Sequence, residues 1–271
     1  MQERLATERL DRAKRRQLLR EDEPLIGKPL PMAPGAVRAV QANTRHVVLM
    51  LRDTELAKRA SAAAAFCGDI LDATLKAKTQ GPVACTKGCS YCCKTYVGVT
   101  IPEIFRVADA MRSDTAKAAR VREAAAASKP LSQTEREITR VVCPILEDKA
   151  CSVYAPRPIV CRAVLSSSLP ACLRIFEENS GEMVPFAGNT TDIRAYVTIM
   201  LQAALQLAGL PWMHYEMNQA LAIALDHRDA EERWLAGDPL FEQVPPDVFD
   251  KNGGPLTEMT NALVANLAPT L

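Results

Sequence analysis

Residues 85–96 read CTKGCSYCCKTY, which places four thiols, Cys85, Cys89, Cys92 and Cys93, within nine residues. The way those sulfurs are accommodated decides how the middle of the chain folds. On a helix, Cys85, Cys89 and Cys92 at i, i+4 and i+7 share one face, with Cys93 at its edge. Gly88 equally permits a tight turn in place of the helix. Either geometry converges three or four sulfurs. Thiolates so close repel one another, and a divalent cation or an iron–sulfur cluster removes that cost by taking up the negative charge.

A second set, Cys143, Cys151, Cys161 and Cys172, has longer gaps of seven, nine and ten residues. The prolines at 144, 156, 158 and 170 restrict the loops between them. A bound metal would supply the fixation that this apolar-poor segment lacks. Eight thiols suit two four-sulfur sites, one polynuclear thiolate cluster, or a four-iron cluster with a separate structural site. The ninth, Cys67, stands alone in an alanine-rich stretch and reads as a small buried apolar residue.

The chain has 271 residues, 48% of them hydrophobic, with 33 basic residues against 32 acidic ones. That is enough apolar material for a sizeable core. A net charge of +1 gives no global reason to expect nucleic acid or an anionic membrane as partner. The first 24 residues, MQERLATERLDRAKRRQLLREDEP, carry both signs of charge and no apolar signal segment. No window has the roughly 18 uninterrupted apolar residues of a membrane span. The expectation is a cytoplasmic protein without membrane contact, where clustered cysteines mean metal or redox chemistry rather than disulfides.

Outward from the cysteines the pattern is helical. Residues 1–20 suit a charged helix, and EDEPLIGKPLPMAPG breaks it into an arm that closes a first unit at 1–35. Over 36–80, Val37, Val40, Val47, Leu51, Phe66, Ile70 and Leu75 keep helical spacing, as one helix or two broken near Asp53. The central module spans 81–175. Within it, Thr100, Pro102 and Glu103 mark a capped helix start, and polar helices are expected over 114–128 and 132–141. The stretch 143–172 reads as loops with a short helix. In the C-terminal region, 176–271, one helix starts at Thr190 or Thr191 and ends at Gly209. WMHYEMNQALAIAL and PLTEMTNALVANL give two more. The fold class is mostly α: a helical protein around a cysteine-rich, loop-rich metal-binding module.

The order of motifs is C-x3-C-x2-C-C, then Glu103, then CPIL, then C-x-V-Y-x-x-R-P-x-x-C-R, over about residues 85–175. This resembles the CxxCxxCC cysteine-cluster family, also called YkgJ-like, described as zinc- or iron-chelating proteins. The resemblance implies that Cys85, Cys89, Cys92, Cys93, Cys143, Cys151, Cys161 and Cys172 are the metal-site thiols, and it draws attention to Tyr154, Arg157, Pro158 and Arg162. Similar clusters occur in bacterial flagellin lysine N-methylases, which implies an iron–sulfur enzyme as an alternative. The same spacing, with Tyr91 before Cys92, also describes the cluster loop of radical S-adenosylmethionine enzymes, but the helical surroundings lack the β/α units of that fold.

Arg157 and Arg162 beside thiolates would offset their charge or hold an anionic ligand. The plainer expectation is that they tie the loop to backbone carbonyls and to acids such as Glu147 or Asp148. Tyr154 is expected as a packed ring. Of His46, His214 and His227, His214 is the best placed to complete a site, although a hydrogen-bonded structural histidine is the commoner case. Asp192, Glu216 and Asp226 form no paired-carboxylate pattern. The serines at 166–168 lack a nucleophile-elbow context, and no phosphate or dinucleotide glycine motif is present. Three functions follow: a structural or metal-handling protein holding zinc or an iron or iron–sulfur centre, an iron–sulfur enzyme acting on a protein substrate, and a zinc-stabilised module that binds a protein partner.

Overall fold

The computed structural model describes residues 32–178 and 180–271. The helix expected over 1–20 and most of the arm lie outside the described residues. Helix α1 (Pro34–Arg52) begins with proline in its first turn, where the missing N–H is no loss. It ends at Asp53, and α2 (Arg59–Lys78) follows, so the break expected near Asp53 divides two helices. Helix α3 (Ile101–Met111) opens with a full capping box between Thr100 and Glu103. The polar helices are α4 (Thr115–Ser128) and α5 (Gln133–Ile138). The second stops short of 141 because Thr139 turns extended.

Two short helices carry the later cysteines, α6 (Ile159–Ala163) and α7 (Leu169–Glu177). Helix α8 (Thr190–Leu207) is the axis of the molecule. Ile193, Val197, Ile199, Met200, Leu201, Ala204 and Leu205 are all buried along it, on several faces. That is the pattern of a helix surrounded by others. Its N-cap is Asn189, one residue before the expected position. Helices α9 (Met217–Asp226), α10 (Ala230–Leu235), α11 (Val248–Asn252) and α12 (Pro255–Leu267) complete the chain. Helices α1, α2, α6 and α12 pack around α8, while α3 packs on α2 and α9, and α9 on α4.

Strands are few and short. β1 (Gly98–Val99) pairs antiparallel with β4 (Tyr215–Glu216), Gly98 opposite Glu216. WMHYEMNQALAIAL is therefore not helical throughout. Its first residues serve the ribbon, and the helix starts at Met217 with the Glu216 carboxylate accepting the Gln219 amide as cap. β2 (Leu146–Glu147) and β3 (Ala150–Cys151) form a hairpin whose two turn residues, Asp148 and Lys149, both have positive φ, 47° and 61°. This is the backbone of a type I′ turn. One apolar core runs from Val37 to Leu267 and takes in Ile145, Val153 and Ile159 of the cysteine-rich stretch. A small satellite cluster joins Ala171, Cys172, Ile175 and Phe176 to Tyr91 and Cys92. Cys67 is wholly buried in the main core.

Candidate metal centre

Around the first motif the chain turns rather than winding into one α-helix. The Cys89 amide donates to the Thr86 carbonyl at 3.0 Å, with Gly88 at φ 89° between them. Only Tyr91–Lys94 is helical, as a single 3-10 turn. The tight turn that Gly88 permits is thus the geometry adopted, since a side chain at that φ would strain the backbone.

The two motifs meet through backbone. The Cys143 amide donates to the Cys93 carbonyl at 2.7 Å. The Cys85 side follows the same logic: the Ala84 amide donates to the Ser166 carbonyl at 2.8 Å, and the Ser166 amide donates to Cys85 Sγ at 3.2 Å. The serines at 166–168 are a joint. Ser166 and Ser167 bond to Pro185, and Ser168 caps α7, which carries Cys172.

Several of the thiols lie within electrostatic reach of one another. Cys85 feels the charges of Cys89, Cys92 and Cys172. Cys143 feels Cys151 and Cys92, and Cys161 feels Cys143, Cys92 and Cys151. Cys92 belongs to both neighbourhoods, and its thiol shares a hydrogen bond with that of Cys93. That bond, followed by burial, pushes Cys92 far above the ordinary thiol range. Burial pushes Cys143 up to about 11 and Cys161 well above its usual value. Metal-free, these sulfurs are neutral thiols.

Amides and arginines supply the opposing, thiolate-favouring influence. The Ser166 amide lowers Cys85, and the Ile145 amide does the same for Cys143. The positive charge of Arg157 acts on Cys92 and Cys161, and that of Arg136 on Cys143. Such donors stabilise the sulfur once it is ionised. All nine cysteines are free thiols. Among the described residues, no group of three or more His, Cys, Asp or Glu side chains is already set to hold a metal ion. The donor chemistry nevertheless suits one: sulfur ligands from two motifs joined through backbone, amide donors aimed at Cys85 and Cys143, and guanidinium charge beside Cys92, Cys143 and Cys161. Zinc bound there would supply a structural cross-link, and an iron–sulfur cluster would supply electron transfer.

The loop 154–162 is laced by its own arginines. Arg157 Nε donates to the Tyr154 carbonyl at 3.2 Å, and its Nη1 to that of Cys161 at 3.4 Å. Arg162, buried, donates through Nε to the Arg157 carbonyl at 2.7 Å, and it also binds the Ala155 carbonyl and the Asp72 carboxylate. Its donors are thus spent on the loop and on α2, with Asp72 as the acid in place of Glu147 or Asp148. Tyr154 differs from the packed ring expected of it: it is 64% exposed, and its face is covered by Arg157, 3.6 Å from the ring centre.

Several positioning residues carry no motif. Arg136, 3% exposed, donates to the carbonyls of Lys94, Thr139 and Val141 at 3.3–3.4 Å, and its Nε faces Glu216 at 3.6 Å. It ties the first motif to the approach of the second. Glu103 accepts from the Thr100 amide and hydroxyl through one oxygen, and through the other from the Ile159 amide at 2.7 Å, where the helix bearing Cys161 begins. Arg120 of α4 binds the Pro144 carbonyl and the Glu147 carboxylate, which holds the hairpin. Arg140 donates to the Ile175 carbonyl and lies over Phe176, which holds α7. The capping box at Ser132 and Glu135 signals where α5 starts, but nothing local reveals the carbonyls that Arg136 reaches.

His214 stands apart from the thiols. Its Nδ1 is 2.8 Å from Asp250 Oδ2, which also accepts the His214 amide at 2.6 Å and Gln202 Nε2 at 3.2 Å. Its hydrogen-bond partners among the described residues are Asp250 and Gln202. His227 Nδ1 contacts Arg233 at 3.1 Å, and His46 packs its ring 4.7 Å from that of Phe66. Asp192 lies in the first turn of α8, Asp226 pairs with Arg122, and Glu216 caps α9.

Residues 84–184 match the CxxCxxCC family, whose description reads "putative zinc- or iron-chelating domain". The matched segment coincides with the stretch that carries both cysteine motifs. No curated protein and no solved structure matches the chain.

Proposed function

We propose that the chain is a metal-binding protein in which clustered cysteine thiolates hold zinc or an iron or iron–sulfur centre, in a structural or metal-handling role. One observation carries this reading: the two distant cysteine motifs meet through backbone, the Cys143 amide donating to the Cys93 carbonyl at 2.7 Å. Folding alone would have little reason to bring two cysteine-rich motifs together beside arginines. Nine free thiols also accord with a reducing, cytoplasmic setting. No described helix is long and apolar enough to cross a membrane.

The test is elemental analysis with an absorption spectrum on protein purified without oxygen. Zinc without visible absorption supports the structural or metal-handling role. Iron with sulfide and a broad band near about 400 nm, where iron–sulfur clusters absorb, moves the function to an iron–sulfur enzyme. Protein that takes up neither metal overturns the reading.

A zinc-stabilised interaction module is the second reading, favoured by the apolar side chains that this segment leaves exposed. Ile138, Val142, Leu169, Leu173 and Met183 all stand in solvent around the cysteines, Met183 at 89%. A partner protein would cover such residues.

A further inference from the structure

Arg157 and Arg162, the arginines of the second motif, spend their donors on the chain itself. A third arginine, which belongs to no motif, lies against Arg162 with its donors open. Arg106 reaches from α3 onto α2, where its Nη1 donates to the Ala64 carbonyl at a long 3.4 Å. That is its only hydrogen bond among the described residues, and it forms no ion pair with them. A guanidinium carries five N–H donors. The Arg106 side chain is half-buried, and none of its nitrogens is both sealed from solvent and unpartnered.

Gly68 is the place where the two like charges meet. A Cβ there would lie 3.0 Å from Arg106 Nη1 and 3.5 Å from Arg162 Cζ and Nε, so both side chains press on α2 where it has no side chain of its own. From that crossing Arg162 reaches forward along α2 to Asp72, and Arg106 reaches back to Ala64. Arg162 is buried and fastened through Nε, Nη1 and Nη2, which makes it a fixed positive charge that already has its carboxylate. Arg106 has no such partner. Both oxygens of Glu103 are taken by Thr100 and Ile159, and Asp69, exposed on α2, acts on Arg106 only through its field. Burial and the Arg162 charge pull Arg106 below the ordinary guanidinium range, while Asp69, Glu103 and Cys67 act the other way. Paired guanidinium groups with open, planar donors suit a carboxylate or a phosphate, whose charge removes the repulsion between them.

We propose that Arg106 anchors an oxyanion, the carboxylate or phosphate group of a small molecule, at the crossing over Gly68, with Arg162 as the fixed second charge. The anion accepts from the N–H groups of Arg106 that the fold leaves open. Gly68 is required because a side chain there would displace Arg106 Nη1. No thiol takes part, so the site is separate from the metal centre.

The test uses the full chain as purified, titrated by calorimetry with inorganic phosphate and with succinate, and with sodium chloride at matched ionic strength as control. The expected result is saturable uptake of one oxyanion per chain, with no saturation by chloride. The tighter of the two oxyanions names the ligand class, and either supports the site. Arg106→Gln should weaken binding at least about tenfold, the loss of one charge-assisted hydrogen bond. Arg106→Lys keeps the charge without the planar fork and should recover only part of the affinity. Arg174→Gln, whose partner Glu182 lies on the surface, should bind as wild type does. Wild-type protein that saturates with neither oxyanion overturns the proposal, and no variant is needed for that result. Binding that Arg106→Gln and Arg106→Lys leave unchanged overturns it as well, since the anion would then sit elsewhere. Neither failure bears on the metal reading.

Discussion

The Cys143 amide donates to the Cys93 carbonyl at 2.7 Å, and Arg136 clamps the same junction from beneath through the carbonyls of Lys94 and Val141. The two cysteine motifs are thus held together before any metal is considered. Arg136 is also the buried partner of Glu216. Replacing it with alanine leaves a buried carboxylate unpaired, a change that costs about 3–5 kcal/mol. Arg136→Ala should show that loss in urea denaturation. Arg136→Lys should recover only part of it, because an ammonium lacks the planar fork that serves several carbonyls at once.

Metal removal should act on the same region. Chelator treatment of protein as purified should lower its thermal midpoint, since binding to the folded state alone stabilises it. Cys89→Ser should reduce bound metal. Cys67→Ala, outside both cysteine motifs and wholly buried in the main core, should leave metal content unchanged and cost only core packing, about 1 kcal/mol. Equal losses of metal in the two variants would refute the ligand assignment.

Gly188 makes a sharper steric prediction. A Cβ there would lie 1.9 Å from the Gln80 carbonyl oxygen, at a φ of 48°. The approach fixes the segment leading into Cys85, where the Gln80 amide also donates to Asn189 Oδ1 at 3.2 Å. Gly188→Ala should destabilise by more than about 2 kcal/mol, since both backbone strain and a clash oppose it. Gly35→Ala, in the first turn of α1 with nothing within 4 Å, should instead be neutral or stabilising by up to about 1 kcal/mol. Paired denaturation curves decide it.

The hairpin beside Cys151 invites a stabilising change. Lys149 holds φ at 61° without being glycine. Lys149→Gly should relieve a strain of about 1 kcal/mol at the second position of the turn. The expected readout is a raised midpoint with an unchanged denaturant slope.

The pH dependence of stability follows from His214 and Asp250. Burial pulls the His214 ring down, but the Asp250 carboxylate outweighs it and leaves the histidine raised. Glu103 and Asp247 add to that rise. Burial likewise raises Asp250, and the bonds from His214 outweigh it and leave the carboxylate lowered. A raised histidine stabilises fully below its ordinary value of about 6.5 and loses that contribution as pH rises through the folded value. A lowered carboxylate stabilises above about 3.9 and loses its contribution as pH falls. The pair should therefore contribute most between these values. His214→Gln should flatten the alkaline decline relative to wild type in denaturation curves taken from about pH 6.5 upward through the folded value of His214.

The elements that could be read in the sequence were those specified locally. Thr100, Pro102 and Glu103 encode a helix start within four residues, and the break at Asp53 lies between two self-sufficient apolar faces. Tyr215–Glu216 carries a helical pattern, and its extended form depends on Gly98–Val99, far away in the chain. For the site, the cysteines announced themselves, while their supports did not. Arg136, Arg120 and Arg140 act on backbone carbonyls, and a carbonyl is present at every residue whatever its identity. Glu103 appeared first as a cap, and its second oxygen, which holds Ile159, lies beyond any local pattern.

Helix α8, the axis on which α1, α2 and α6 pack, follows all eight clustered cysteines in chain order. A ribosome therefore delivers every one of these thiols before the element that organises their surroundings has emerged. During that interval the sulfurs are open to stray oxidants and to the wrong metal. The nascent chain, rather than the finished fold, is where these thiols stand without the helix packing that later surrounds them.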